Sequence, residues 1–250
     1  MNDKNFDWIT SQLSHSGNVR TYNEDACMTR SDIPLWAVAD GMGGHEAGDV
    51  ASAKITGALN EMQSALQLND YVDKIDDTLI LVNSQLRDLG RDKYNNRTIG
   101  STVVCMVANR NYIAYLWVGD SRLYRIRDHK ITQLTKDHSE VQNLVDQGLL
   151  RAEDAESHPS ANVITRAIGA SDDLYLSVGV DETQDNDIYI LCSDGLYRDM
   201  TEVELLNICD ECDLQPEEIT NKLMQTALSR EAKDNITMVV TKSILNRESI

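Results

Sequence analysis

Proline is scarce in this chain, with three prolines among 250 residues, and the sequence contains no low-complexity linker or internal repeat. Nothing therefore marks a boundary between two domains. We predict one continuous domain over residues 1–245 and a short tail at residues 246–250. A chain of this length buries enough apolar surface to form a substantial core without disulfide or metal staples.

Long apolar runs and a basic amino terminus are also missing. No stretch approaches the roughly 20 apolar residues of a transmembrane helix. The first ten residues, MNDKNFDWIT, lack the basic and apolar segments of a signal peptide. We therefore expect no membrane insertion and a cytoplasmic location.

The five cysteines show no spacing typical of a disulfide framework. Cys105 and Cys192 lie inside apolar runs, where a free thiol packs as a small hydrophobic group. Cys209 and Cys212 form a single CxxC without a second pair. Ordinary helix packing is therefore favoured over a zinc or redox role for these two residues.

Positive charge is in deficit, because 23 lysines and arginines face 41 aspartates and glutamates, for a formal net charge of −18. Such a surface repels nucleic acid and anionic membranes, so we expect neither as a partner. Most of the carboxylates serve solubility. Their positions along the chain decide whether a subset binds cations.

The hydrophobic pattern alternates between strands and paired helices. Apolar residues recur at helical spacing from Ala47 to about Leu68 and from Tyr71 to about Leu89, which predicts an antiparallel helix pair. A second pair is predicted near Glu202–Cys209 and Glu217–Arg230. The predicted strands, of which the second to fifth form an antiparallel meander, are Leu35–Ala39, Thr102–Ala108, Tyr112–Val118, Arg122–Arg127, Ile131–Leu134, Leu174–Val180, Ile188–Cys192 and Ile236–Thr241.

The order of these elements places helix pairs between groups of antiparallel strands. Such an order indicates sheets with helices on their outer faces. Residues 140–166 are mostly polar and irregular. A segment of this kind beside a site is often a flap, so we expect it to influence substrate preference.

Acidic residues stand repeatedly where apolar strands begin or end. LWAVA runs into Asp40-Gly41, YLWV into Gly119-Asp120 and IYILCS into Asp194-Gly195, whereas Asp234 directly precedes the strand ITMVV. A single Asp-Gly is an ordinary turn. Carboxylates crowded at one rim repel and raise one another's pKa, so four coincidences favour a compensating cation.

Carboxylates and backbone carbonyls without a histidine or cysteine set select hard cations such as Mg²⁺, Mn²⁺ or Ca²⁺. Two such ions roughly 3.5–4 Å apart acidify a shared water and clamp a phosphoryl group. Arginine is the natural partner for the phosphate, because its planar fork donates two hydrogen bonds at once.

Five motifs, in order along nearly the whole chain, resemble those of the PP2C-type (metal-dependent, PPM) protein phosphatases, most of all the compact bacterial members. The resemblance implies an α+β fold, a four-layer αββα sandwich of two antiparallel sheets flanked by helix pairs. The motifs are Arg20-Thr-Tyr-Asn23-Glu24-Asp25, Asp40-Gly-Met-Gly-Gly44-His45, Gly119-Asp120-Ser121-Arg122, Ser193-Asp194-Gly195 and Asp234-Asn235-Ile-Thr237.

The same resemblance implies a role for each matching residue. Asp40 would bridge two metal ions, Mn²⁺ or Mg²⁺, with Asp194 and Asp234 completing the first site. Glu24 and the carbonyl of Gly41 would serve the second ion, and Asp120, with Asp194, would hold a looser third one. Asp25 would hold metal-bound water, and Arg20 would bind the substrate phosphate.

Three positions depart from the family pattern. Met42 stands where the eukaryotic branch has a histidine proposed as proton donor. His45 is a candidate for substrate contact or proton transfer, and a polar helix-start histidine is the alternative reading. Arg198 stands where the family often has an aspartate, which weakens the assignment of the third ion. His138, by contrast, fits a segment frequent in the family, and we interpret it as structural.

The resemblance implies a protein serine/threonine phosphatase that uses direct attack by a water or hydroxide bridging the two ions. It also implies phosphoprotein substrates and an opposing bacterial Ser/Thr kinase. A catalytically silent phosphoprotein-binding pseudophosphatase is the alternative, and it predicts the loss of a core ligand, yet all of them are present. Hydrolysis of a small phosphate ester would share the chemistry and differ in substrate.

Overall fold

The computed structural model describes residues 5–43, 47–95 and 97–246. Its strands are β1 Phe6–His15, β2 Asp25–Arg30, β3 Leu35–Met42, β4 Gly100–Ser101, β5 Val103–Asn109, β6 Tyr112–Val118, β7 Arg122–Arg127, β8 Lys130–Gln133, β9 Ser177–Glu182, β10 Ile188–Cys192 and β11 Ile236–Leu245. Its α-helices are α1 Gly48–Asn60, α2 Leu68–Lys93, α3 Glu140–Asp146, α4 Asp194–Tyr197, α5 Glu202–Glu211 and α6 Pro216–Leu228. No helix in these ranges is long and apolar enough to cross a membrane.

The strands form two antiparallel sheets. The first has the order β1-β11-β10-β7-β8, and the second has the order β2-β3-β5-β6-β9 with the short β4 beside β3. In β10, Ile188, Ile190 and Cys192 pack with the cluster that contains α5 and α6, whereas Tyr189 and Leu191 pack with the other sheet. Because successive side chains point to opposite faces, a strand buried on both sides reads as a continuous apolar run.

Three hydrophobic clusters separate four layers. One joins α1 and α2 to the second sheet, and another joins α4 to α6 to the first sheet. The third lies between the sheets, where Trp36, Val104 and Met106 of one sheet meet Tyr189 and Val239 of the other. The predicted αββα sandwich of two antiparallel sheets with outer helices is therefore confirmed.

The first predicted helix is too long at its carboxyl end. Helix α1 ends at Asn60, where the backbone N–H of Glu61 donates to the Gly57 carbonyl. Met62 lies in the loop that follows α1 and packs into the hydrophobic core, while Leu66 in the same loop is 88% exposed. The helical spacing of Met62 and Leu66 is therefore coincidental, because both residues lie in the loop and only Met62 packs against the core.

The predicted four-strand meander is wrong, because its two halves belong to different sheets. Strands β5 and β6 pair with each other in the second sheet, and β7 and β8 pair in the first. The chain crosses between the sheets at Gly119, whose φ is +100°. Any side chain at this position would clash with Thr102, because its Cβ would lie 2.5 Å from the Thr102 Cγ2. Strands buried on both faces carry no sequence signal for their partner, so the pattern could not reveal this crossing.

Strands β1, β2 and β4 and the short helix α4 were not predicted. Strand β1 pairs with β11 over its full length, from Phe6 opposite Leu245 to His15 opposite Ile236. Its sequence is rich in polar residues because one face is solvent-exposed. The predicted tail lies largely outside the described residues, which end at Asn246.

Candidate active site

Strands β2 and β3 bring two of the predicted carboxylates together. Asp25 is the first residue of β2 and lies directly opposite Asp40 of β3. The expected turn at Asp40-Gly41 is wrong, because both residues continue β3 and Gly41 pairs with Ser101 of β4. Neighbouring antiparallel residues lie about 5 Å apart between their Cβ atoms, so two carboxylates face one another here.

The first sheet delivers two more carboxylates to the same edge. Asp194 follows β10 as the first residue of α4, and Asp234 precedes β11. Since β10 and β11 are antiparallel neighbours, with Cys192 opposite Met238, the end of one strand and the start of the other share a rim. Burial raises the pKa of Asp40 well above its usual value, and the charges of Asp25, Asp194, Asp120 and Asp234 raise it further.

Asp25 is held in one orientation by a neighbouring hydroxyl. The Ser193 Oγ donates a 2.7 Å hydrogen bond to its Oδ2, and the Thr237 N–H donates to that Oγ. Its Oδ1 is buried and has no hydrogen-bond partner among the described residues. Burial raises the pKa of Asp25 to about 7.

Glu24 is fixed by its backbone on both sides. Its N–H donates to Asn235 Oδ1 at 2.8 Å, while its carbonyl accepts from the Gly41 N–H at 3.1 Å and from Ser52 Oγ at 2.6 Å. Its Oε1 is buried and likewise unpartnered within the described ranges. A Cβ at Gly48 would come within 2.6 Å of that oxygen, so the carboxylate rests directly against the start of α1.

Asn235 is a site residue whose role we did not predict. Besides accepting from Glu24, its side-chain amide donates to the carbonyls of Ser16 and Tyr22, at 3.1 and 2.9 Å. The residue is 5% exposed and joins the segment before β2 to the segment before β11. Its place in the Asp234-Asn235 motif was the only sequence signal, because three backbone partners distant along the chain are visible only in the fold.

Unpartnered buried carboxylate oxygens cost free energy unless a positive charge compensates them. Oxygen donors from Glu24, Asp25 and Asp40 have the chemistry that Mg²⁺ and Mn²⁺ prefer, so the residues present fit a divalent cation. In the present arrangement, no three His, Cys, Asp or Glu side chains of residues 5–43, 47–95 and 97–246 are gathered as a metal-binding group. In this arrangement two of the carboxylates are paired with arginines, Asp234 with Arg20 and Asp194 with Arg198.

Arg20 lies at the entrance and pairs with Asp234. Its Nη2 donates to Asp234 Oδ2 at 2.8 Å, and the two side chains are 53% and 38% exposed. An ion pair this exposed is worth at most about 1 kcal/mol. The guanidinium can therefore leave Asp234 for another anion at little cost.

The second arginine, Arg198, reaches both Asp120 and Asp194. Asp120 is 4% exposed, and burial raises its pKa to about 7. Its carbonyl accepts a 3.0 Å hydrogen bond from the Tyr197 hydroxyl. Asp120 thus lies at the same rim as the other carboxylates, where the chain crosses from β6 to β7.

The remaining predicted residues are placed as follows. His45 lies outside the described residues. Met42 is the last residue of β3 and pairs with Gly100 of β4. Its side chain packs directly on Gly100, since a Cβ there would lie 2.8 Å from the Met42 Cε. The flap, residues 140–166, contains α3 and a 3₁₀ turn at Ala152–Asp154 and is tied back by a bridge between Ser139 and Ile164. Under the flap lies a cavity of about 150 Å³ lined in part by Arg122, Tyr197 and Arg198.

His138 connects the Asp120 loop to the flap. Its Nδ1 accepts from the Gly119 N–H at 3.1 Å, so the neutral ring carries its proton on Nε2, which lies 2.9 Å from Ser177 Oγ. The ring stacks on Trp117, and the His138 carbonyl accepts from Thr165 N–H. Burial, and then the charge of Arg166, lowers the pKa of His138 to about 4.

Folding stability is expected to depend on this histidine below neutral pH. The folded protein keeps His138 neutral until about pH 4, whereas the unfolded chain binds the proton near pH 6.5. The stability that His138 contributes is therefore present above pH 6.5 and is lost as pH falls toward 4. In urea unfolding, the advantage of wild type over His138→Gln should shrink across this window, and a constant difference would contradict the assignment.

Comparison with known proteins agrees with this geometry. The family model of Protein phosphatase 2C matches residues 14–237. The serine/threonine protein phosphatase PstP of Mycobacterium tuberculosis (strain CDC 1551 / Oshkosh) is 35% identical over 230 residues, which are 91% of this chain and 43% of that protein. The chain therefore spans less than half of the length of that relative.

Two solved structures are similar over almost all of the chain. One is PppA, a key regulatory component of the T6SS in Pseudomonas aeruginosa, with 37% identity, a TM-score of 0.87 and coverage of 95% of this chain and 98% of that one. The other is the catalytic domain of PstP in complex with two manganese ions, with 30% identity, a TM-score of 0.82 and the same coverage. Because the family model spans every carboxylate of the site from Glu24 to Asp234, and the fold agrees, the chain belongs to the protein phosphatase 2C family.

Proposed function

We propose that this protein hydrolyses phosphoserine and phosphothreonine esters in proteins. The observation that carries the proposal is the convergence of buried carboxylates from both sheets beside an exposed arginine. Family membership and the phosphatases among its relatives support it. In the reaction, water attacks phosphorus in line, the bond from phosphorus to the seryl or threonyl oxygen breaks, and that oxygen leaves with a proton.

Two divalent cations, Mn²⁺ or Mg²⁺, are proposed as cofactors. When bound, they supply an acidified water and positive charge for the phosphoryl oxygens. Asp40, Asp194 and Asp234 would hold one ion. Asp40, Glu24 and the Gly41 carbonyl would hold the other. The unpartnered Glu24 Oε1 and the manganese complex of the similar PstP domain support this arrangement.

Arg20 and Asp25 are proposed to act on the substrate and the attacking water. Arg20 is exposed and only weakly held by Asp234, so its guanidinium is free to bind two phosphate oxygens. Asp25 is oriented by Ser193, and its second carboxylate oxygen, which has no hydrogen-bond partner among the described residues, would accept a hydrogen bond from water. Asp120 would lie beyond the two-ion core.

Phosphorylated proteins are the proposed substrates, and an opposing Ser/Thr protein kinase is the proposed functional partner in the cytoplasm. PstP and the other serine/threonine phosphatases among the relatives support a protein substrate. The flap, residues 140–166, and the cavity beneath it are proposed to distinguish the substrate residues on either side of the phosphorylated one. A panel of phosphopeptides and small phosphate esters separates a protein substrate from a metabolite.

Turnover of a phosphothreonine peptide with Mn²⁺ tests the proposal, and EDTA should abolish it until Mn²⁺ is restored. Arg20→Gln should raise KM by about 10-fold to 100-fold, because it removes charge-assisted hydrogen bonds worth roughly 1.5–3 kcal/mol. Arg91→Gln is the matched control, since Arg91 forms an exposed pair with Asp88 on α2. Activity that survives exhaustive chelation would contradict the proposal, and an inert wild type would favour a binding module.

A further inference from the structure

Arg198 stands between two carboxylates of the site. It lies one helical turn after Asp194, and its Nε is 2.8 Å from Asp194 Oδ2. Its Nη2 is 3.4 Å from Asp120 Oδ2. The Arg198 side chain is 26% exposed, and those of Asp120 and Asp194 are 6% and 16% exposed. One guanidinium thus bridges two carboxylates that are both nearly out of water.

The bridge is electrostatic more than directional. The Arg198 Nε–H is not aligned for a hydrogen bond, although the two charges are in contact. Burial raises the pKa of both Asp120 and Asp194, and the charge of Arg198 lowers each of them. An arginine stays protonated at every physiological pH, so it supplies a permanent positive charge at this point.

A second guanidinium lies close by. Arg122 is held by Asp137 through three hydrogen bonds of 2.8 to 3.1 Å and rests over the Tyr197 ring at 3.5 Å. Both guanidinium groups line the same cavity under the flap. Another cation entering between Asp120 and Asp194 would meet the Arg198 guanidinium, which already contacts both carboxylates, so like charges would repel it.

We propose that the Arg198 guanidinium takes the place of a third divalent cation at Asp120 and Asp194, so that this chain binds two ions and no more. The inference rests on the proposed two-ion function. Arg198 acts as a positioning residue: it pairs with Asp120 and Asp194 and reaches the flap through the Ala161 carbonyl at 3.5 Å.

Counting bound Mn²⁺ by isothermal titration calorimetry, and by electron paramagnetic resonance of the free ion, tests this inference. Wild type should bind two ions, and Asp120→Asn should leave that number unchanged. Arg198→Gln should gain a third ion, which the double variant with Asp120→Asn loses. Arg198→Lys, which keeps the charge, should stay at two. A merely structural role for Arg198 would not change the number of ions in this pattern.

The outcomes separate this inference from the proposed function. A third ion in wild type that Asp120→Asn removes would overturn the role of Arg198 and leave the two-ion core intact. Absence of any Mn²⁺ binding would overturn the proposed function and this inference with it. If Arg198→Gln does not fold, wild type and Asp120→Asn still decide the question, because the inference requires equal numbers of ions in the two proteins.

Discussion

Asp40→Asn and, separately, Asp194→Asn are expected to lower kcat/KM for a phosphothreonine peptide by about 10³-fold or more. Each substitution keeps the side-chain shape and removes a negative charge that a divalent cation needs. Loss of several kcal/mol of transition-state stabilisation corresponds to that factor, at about 1.4 kcal/mol for each tenfold. Initial rates at saturating Mn²⁺ measure the effect, with Asp73→Asn on the exposed face of α2 as the matched control.

The same Asp40→Asn variant has a second expected result that general misfolding cannot imitate. Burial and the neighbouring charges of Asp25, Asp194, Asp120 and Asp234 raise the pKa of Asp40, so the ionised side chain opposes folding when no cation compensates it. In EDTA, the variant should therefore melt at a higher temperature than wild type. Added Mn²⁺ should then stabilise wild type more than the variant. A lower melting temperature in EDTA would contradict this account of the site.

Gly41→Ala is expected to destabilise the protein by about 3 kcal/mol or more and to abolish Mn²⁺-dependent activity. A Cβ at this position would lie 2.1 Å from the Gly48 carbonyl oxygen and 2.5 Å from the Glu24 carbonyl oxygen. Both are backbone atoms, at the start of α1 and just before β2, so the backbone must move, which is the costly end of overpacking. At roughly 2–4 °C for each kcal/mol, the melting temperature should fall by about 6–12 °C.

Gly57→Ala is the matched control for that change. Gly57 lies within α1, and a Cβ there meets nothing within 4 Å. Alanine is favoured over glycine in a helix interior by roughly 0.5–1 kcal/mol, so this variant should be slightly more stable than wild type and fully active. Equal stability of the two glycine variants would mean that the contact between Gly41 and Gly48 does not constrain the site.

Arg20 and Arg198 give the two ends of this site different properties. Both pair with carboxylates that the proposed function assigns to cations, but Arg20 is mostly exposed and Arg198 is mostly buried. An exposed pair separates at little cost, whereas a buried pair is expensive to break because it leaves an uncompensated charge. Asp234 can therefore exchange Arg20 for a cation at little cost, whereas Asp120 stays paired with Arg198.

The sequence by itself determined the class of the fold and predicted which carboxylates would converge. Helical spacing predicted both outer helix pairs, and continuous apolar runs predicted β5, β6, β7 and β10 to within a residue. These signals are local, since they arise from the period of side chains along one element. The motifs at Asp194 and Asp234 indicated carboxylates at strand ends for the same reason, because an apolar run that stops or starts at an acid is visible in the chain. Asp40 was found by the same signal, although β3 continues past it to Met42.

Only the tertiary structure decided which of these elements meet. The crossing at Gly119 separates β6 from β7, and it could not be predicted because strands buried on both faces look alike in sequence. The cradle of Asn235 around Glu24 joins segments about 200 residues apart. The contact between Arg198 and Asp120 also forms only in the folded protein, since the two residues are 78 positions apart in the chain. Contacts of this kind arise from the pairing of sheets and the burial of charge, which no local pattern records.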